Sequence, residues 1–114
     1  MTYQESSSAY VVALAMLARR ELSIAQVRER LVRKGFPTDD VELVVQRLVS
    51  EGALDDERTA VTYARRAANV KLQGRKRAVQ ELYRLGISRA HADAAVAQTY
   101  GELNEQILLE QALA

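Results

Sequence analysis

Apolar side chains recur along this chain at three- and four-residue spacing, and most of the runs are set off by a residue that starts or stops a helix. Tyr10, Leu14 and Leu17 mark a first helix over roughly residues 8 to 20. Ser23, with Gln26 three residues on, is a capping-box signature that opens a second helix with the stripe Ile24, Val27 and Leu31. Gly35 ends it, because glycine enters the left-handed region without steric cost. Pro37 and Thr38, then Asp39 and Asp40, put a proline and negative charge at the start of a third helix, whose inner face is Val41, Val44, Val45 and Leu48. Gly52 closes it. The pattern then restarts. Asp55 or Asp56 caps a fourth helix carrying Ala60, Tyr63, Ala64 and Ala67, and Gly74 precedes a fifth with Ala78, Leu82 and Leu85, ended by Gly86. Ser88 opens a sixth with Ala92, Ala95, Val96 and Thr99, and after Gly101 a seventh segment runs from Glu102 to about Leu113 with Leu103, Ile107 and Leu108.

Sliding the chain on itself by 51 residues lays Leu31 on Leu82, Arg33 on Arg84, Gly35 on Gly86, Phe36 on Ile87, Val41 on Ala92, Val44 on Ala95 and Glu51 on Glu102. These are core, cap and cap-flanking positions, so one three-helix unit occurs twice. The expected fold is all-α: tandem three-helix repeats resembling helix-turn-helix units, elongated and curved, with a truncated or minimal third repeat. The expected organisation is a flexible N-terminus over 1–8, repeats over 9–53 and 54–101, and a single helix over 102–114 that starts a third repeat or caps the array. One proline, five glycines and one phenylalanine in 114 residues leave few strand builders and agree with this.

Composition excludes several chemistries. There is no cysteine and one histidine, His91, so disulfides, thiolate catalysis, cysteine zinc sites and histidine clusters are out of reach. No nucleophile stands with a base and no glycine-rich phosphate loop is present; an enzyme is not expected, nor a metal or other cofactor. In the run Asp55-Asp56-Glu57-Arg58, paired carboxylates have the chemistry to hold a divalent ion, but position suggests no third ligand and they read as helix-start charges. The apolar stretch Ala9 to Ala18 is too short to span a bilayer, has no basic residue before it and runs into Arg19-Arg20-Glu21. A cytoplasmic protein without membrane contact is expected, and a monomer.

Net charge is +1, but its distribution is uneven. Residues 1–57 hold seven Lys/Arg and ten Asp/Glu, residues 58–91 nine and one, and residues 92–114 none and four. The middle third is therefore a basic block in an acidic chain, which points to an anionic partner. At about 100° per residue, Arg58, Thr62, Arg65, Arg66 and Asn69 share one face of the fourth helix and Ala60, Tyr63, Ala64 and Ala67 the other. On the fifth, Lys76, Arg77, Gln80 and Arg84 lie opposite Ala78, Leu82 and Leu85, with Lys71 and Arg75 in or beside the connecting loop. Arg58, Arg65, Arg66, Lys71, Arg75, Lys76, Arg77 and Arg84 are the candidate partner- or DNA-binding residues, as donors to phosphate oxygens or to a partner's carboxylates. Tyr83 and Tyr100 have the chemistry to stack on bases, or to seal packed helices.

The ordered set Leu22-Ser23, Arg30-Leu31, Arg33-Lys34-Gly35-Phe36, Arg47-Leu48, Glu51-Gly52, Leu54-Asp55-Asp56-Glu57-Arg58 and Tyr63-Ala64 resembles the RecX family, bacterial regulators of the RecA recombinase. The likeness continues through Gly74, Arg77, Glu81-Leu82 and Gly86-Ile87-Ser88; Ala53 and Thr59 stand where the family usually has aromatics. The resemblance implies a regulator that binds the RecA filament on single-stranded DNA and inhibits its extension, ATPase, coprotease and strand-exchange activities. It implies RecA and single-stranded DNA, met directly or through RecA, as partners in DNA repair and recombination. The alternative is a helix-turn-helix protein that binds DNA directly, without RecA.

Overall fold

The computed structural model of the chain describes residues 3–113. They form α1 (Tyr3–Arg19), α2 (Ile24–Arg33), α3 (Thr38–Ser50), α4 (Asp56–Asn69), α5 (Arg75–Arg84) and α6 (Arg89–Leu113), with no strand among the described residues. The chain divides into two units, the first ending at Asp56 and the second beginning at Glu57. The all-α organisation in tandem three-helix units is the one the periodicity predicts.

In the first unit, Val27 and Leu31 of α2 and Val41, Val44, Val45 and Leu48 of α3 are buried as their spacing requires. The contribution of α1 differs from expectation. Ala9 and Ala13 are fully buried, Tyr10 and Leu17 only pack at the edge, and Leu14 is 38% exposed. Two alanines one turn apart let α1 settle closely against its neighbours, whereas a larger side chain there would overpack a filled core. The helix also begins earlier than the pattern suggests, at Tyr3 rather than near residue 8, and residues 1–2 lie outside the described residues.

In the second unit, Ala60, Ala64 and Ala67 of α4, Ala78 and Leu82 of α5, and Ala92, Ala95 and Val96 of α6 form one buried cluster, joined by Ala68, Ile87 and Tyr100. The sixth and seventh helices expected from the sequence are one continuous helix through Gly101. Under the 51-residue shift, Leu103 takes the place of Gly52 and Gly101 that of Ser50, a helical position. The left-handed terminator is therefore absent, and an interior glycine costs only about 1 kcal/mol relative to alanine. Packing of Tyr100 and Leu103 against the core and the Gln98–Glu102 hydrogen bond of 3.2 Å, one turn apart, carry the helix across.

Three helix ends share one construction. After α2, Gly35 has φ 97° and its N–H donates to the Val32 carbonyl at 2.9 Å, while the Phe36 N–H donates to Leu31 at 3.2 Å. Gly52 and Ala53 repeat these bonds after α3, and Gly86 and Ile87 after α5, with φ 77° and 81° at the two glycines. Each is a Schellman motif, so the glycine caps read from the sequence are present. Nothing lies within 4 Å of a Cβ added to Gly35, so the cost of a side chain there is backbone strain alone. Gly35→Val is expected to lower stability by about 1–3 kcal/mol, and Gly86→Val by a similar amount. Gly35→Asn should be milder, since asparagine tolerates this region. Thermal melts check this, and unchanged melting temperatures for both valine variants would remove the cap assignment.

A latch ties α1 to the end of α3. The Tyr10 hydroxyl donates to Glu51 Oε2 at 2.6 Å, Arg47 Nε pairs with Glu51 Oε1 at 2.7 Å, and the Arg47 guanidinium lies 3.7 Å from the Tyr10 ring centroid. The Tyr10 hydroxyl and then Arg47 hold the Glu51 carboxyl below its ordinary value of 4.5. The hydrogen bond to Glu51, followed by burial, raises the Tyr10 phenol above 10.0. A depressed carboxyl stabilises the fold above its unfolded pKa, and this is lost as pH falls through the folded value. A raised phenol stabilises it below about pH 10, and this is lost as pH rises through the folded value. Tyr10→Phe should therefore bring the Glu51 titration, followed by NMR, back toward 4.5 and soften both pH limbs. An unmoved Glu51 titration would show that the latch does not form in solution.

Candidate nucleic-acid interface

The second helices of the two units are ten residues long and occupy equivalent positions, yet their N-termini are built in opposite ways. At α2, the Ser23 Oγ accepts from the Gln26 N–H at 3.1 Å and Gln26 Oε1 accepts from the Ser23 N–H at 2.9 Å, a closed capping box. Asp56 adds a further acceptor: its Oδ1 takes the Ile24 N–H at 2.9 Å. The acidic run read as helix-start charge thus also caps α2. At α5, the cap residue is Gly74, which supplies no side-chain acceptor, and the first turn holds no acidic residue. It holds Arg75, Lys76 and Arg77 instead.

That arrangement is unfavourable on its own. The N-terminus of a helix is the positive end of its dipole, and a cation there opposes it by roughly 0.3–1 kcal/mol. Glycine in place of a side-chain cap costs about a few tenths of a kcal/mol more. The first turn of α5 therefore presents three cations to solvent at a helix start without a side-chain cap, the combination of charge and N–H donors that suits an anion.

All eight candidate cations are exposed. Lys71 Nζ and Arg77 Nε approach Glu81 at 3.9 and 3.7 Å, so two cations share one carboxylate, which also accepts from Gln73 Nε2 at 3.2 Å. Glu81 is the only acidic residue between positions 58 and 91, and exposed pairs of this kind hold their partners by at most about 1 kcal/mol. Lys76, Arg77 and Arg84 line an open groove of about 420 Å³ with Gln80 and Glu81. The Arg75 guanidinium sits 5.8 Å from the Tyr100 ring centroid. On α4, Arg58, Arg65 and Arg66 are directed away from the alanine face as the helical period predicts, and Arg65 turns toward Glu102 of α6 at 3.8 Å. Lys71 and the α5 cations thus gather around one helix, while Arg65 faces a different one.

The two tyrosines are used within the second unit. Tyr100 is buried and its hydroxyl donates to the Gln73 carbonyl at 2.6 Å; burial raises its phenol. Tyr83 donates to Asp93 at 2.7 Å, and this bond, more than burial, raises its phenol.

The loop before α5 adds a residue that periodicity passes over. Leu72 has φ 55° and is 82% exposed, between Lys71 and Gln73. A non-glycine residue in this region stores about 1 kcal/mol or more of strain, and here it presents a large apolar side chain beside the cations. Its sequence signal is an apolar residue outside any helical stripe, two positions before a glycine.

Comparison with known proteins agrees with this architecture. The family model described as RecX, first three-helix domain, matches residues 9–48, and that described as RecX, second three-helix domain, matches residues 55–96. A relative from Mycobacteroides abscessus named Regulatory protein RecX is 32% identical over 94 residues, covering 82% of this chain and 46% of the relative. The protein of that name from Treponema pallidum strain Nichols is 34% identical over 97 residues, or 85% and 59% of the two chains. A crystal structure of regulatory protein RecX superposes with a TM-score of 0.77 at 26% identity, over 82% of this chain and 46% of that one. The crystal structure of RecX from Lactobacillus salivarius gives 0.79 over 99% and 79%, at 19% identity, a likeness of fold. The chain spans about half the length of the curated relatives it matches. With both three-helix domains matched in order, and with their helix caps in place, this chain belongs to the RecX family.

Proposed function

We propose that the chain regulates the RecA recombinase by binding its filament on single-stranded DNA, with the basic face of α4, the loop before α5 and α5 itself set against phosphate. In this reading the bound chain restrains filament extension and lowers ATP hydrolysis, coprotease activity and strand exchange. The observation that carries it is the first turn of α5: three cations and a glycine cap stand where α2, its counterpart, has a complete capping box. A departure from local stability rules that only weak, exposed contacts offset, Arg77 with Glu81 and Arg75 over Tyr100, marks a surface kept for something else. Phosphate would supply the missing negative charge at the helix N-terminus. Family membership supports a regulatory rather than a catalytic role.

Reversal of charge tests the face. Arg65→Glu, Arg66→Glu and Arg77→Glu together shift local charge by about six units at exposed positions, and glutamate is a good helix former. The triple variant should stay helical by circular dichroism and lose at least about tenfold in its inhibition of RecA's DNA-dependent ATPase, the effect of one strong charged contact or more. A helical variant that inhibits like the parent would show that RecA reads another surface.

Salt dependence tests the chemistry. Log affinity for the filament or for single-stranded DNA should fall linearly with log salt, with a slope of about −0.7 for each phosphate neutralised. A flat response would mean that the basic block does not touch nucleic acid. Pull-down of the chain by RecA with and without single-stranded DNA, beside pull-down on immobilised single-stranded DNA alone, separates this reading from direct DNA binding: capture by the bare DNA with none by RecA favours the helix-turn-helix alternative.

A further inference from the structure

We infer that the first unit carries its own phosphate-binding groove, where the C-terminal ends of α1 and α2 meet, and that its occupant is the backbone of a single nucleic-acid strand. The groove has a volume of about 490 Å³ and is lined by Met16, Arg19, Arg20, Arg30, Arg33 and Lys34. Five cations surround it, and no carboxylate is among its lining residues, in a unit that holds more Asp and Glu than Lys and Arg. Cations in the last turn of a helix complement its dipole, and this accounts for Arg19 on α1 and for Arg30 and Arg33 on α2 taken separately. It does not account for the fold bringing the two ends together, since each helix brings cations into the field of the other's and like charges repel.

The lining identifies the class of ligand. Four guanidinium forks and one ammonium match phosphate oxygens, and Met16 is the only other member, so the groove has no hydroxyl, amide or aromatic group to read a sugar or a base. Such a site holds backbone without reading sequence. Five cations on one groove also require a ligand with charge at every unit, which a nucleic-acid strand supplies continuously. Arg33 is ion-paired with Glu29, but both side chains are largely exposed, and a surface pair of this kind yields to a closer anion. The site stands apart from the regulatory reading above, because a free oligonucleotide is sufficient to fill it.

The test uses the full chain and a fluorescein-labelled oligothymidylate, followed by anisotropy across a salt series. Two variants remove cations from different parts of the groove, Arg30→Gln with Arg33→Gln, and Arg19→Gln with Lys34→Gln, each checked for helicity. Each should bind about tenfold more weakly at low salt and flatten the log–log salt slope by about 1.4, the value for two lost phosphate contacts on a single strand. Parental affinity and slope in helical variants, or no binding by the parent, would overturn the proposal whatever the chain does to RecA. Inorganic tripolyphosphate and polyglutamate at equal charge are the competitors. Displacement of the strand by either at matching concentration would assign the groove to a small phosphate or an acidic peptide and overturn the strand assignment, whereas failure of both to displace it supports the strand.

Discussion

Each three-helix unit depends on stopping its second helix after ten residues and turning the chain back over the core. The turn needs a left-handed residue, and Gly35 and Gly86 supply it. The residue after each glycine then packs inward: Phe36 is half-buried against the core of the first unit, and Ile87 is buried in that of the second. The last carbonyls of α2 and α5 are satisfied by the same two backbone bonds in both units. Once this turn is fixed, the third helix must start within a few residues and present its own stripe to the space between the first two. The cores follow from that geometry, valine- and leucine-rich in the first unit and alanine-rich in the second.

The repeat preserves the backbone while the charges on it diverge. Glu51 and Glu102 are equivalent positions at the third helix of each unit, and both face the first helix of their own unit, Glu51 through Tyr10 and Glu102 through Arg65. In α2 and α5 the divergence is larger. The N-terminus of α2 is closed by Ser23, Gln26 and Asp56, and Arg30 and Arg33 sit in its last turn, where the dipole favours them. The N-terminus of α5 is open and carries three cations, where the dipole opposes them. Of these two equivalent helices, α5 alone thus carries cations in its first turn, and each helix borders a groove within its own unit.

Much of this is written in the sequence because it is local. Helical period, the Ser23–Gln26 box, the three left-handed glycines and the outward turn of Arg58, Arg65, Arg66, Lys76, Arg77 and Arg84 all depend on residues within a few positions of one another. The end of the second unit depends on a longer-range comparison. Gly101 resembles a terminator when viewed alone, and only its register against the first unit shows that it falls inside a helix.

What the sequence by itself determined, then, is the number and register of the units, their caps and the exposed basic face of the second, since backbone preference and amphipathic period act within one helix and its ends. The tertiary structure alone decided that Ala9 and Ala13 rather than Leu14 enter the core, that Asp56 caps α2, and that five cations from two helices of an acidic unit converge on one groove. Net charge counted along a chain averages over faces, and only packing decides which ends are brought together.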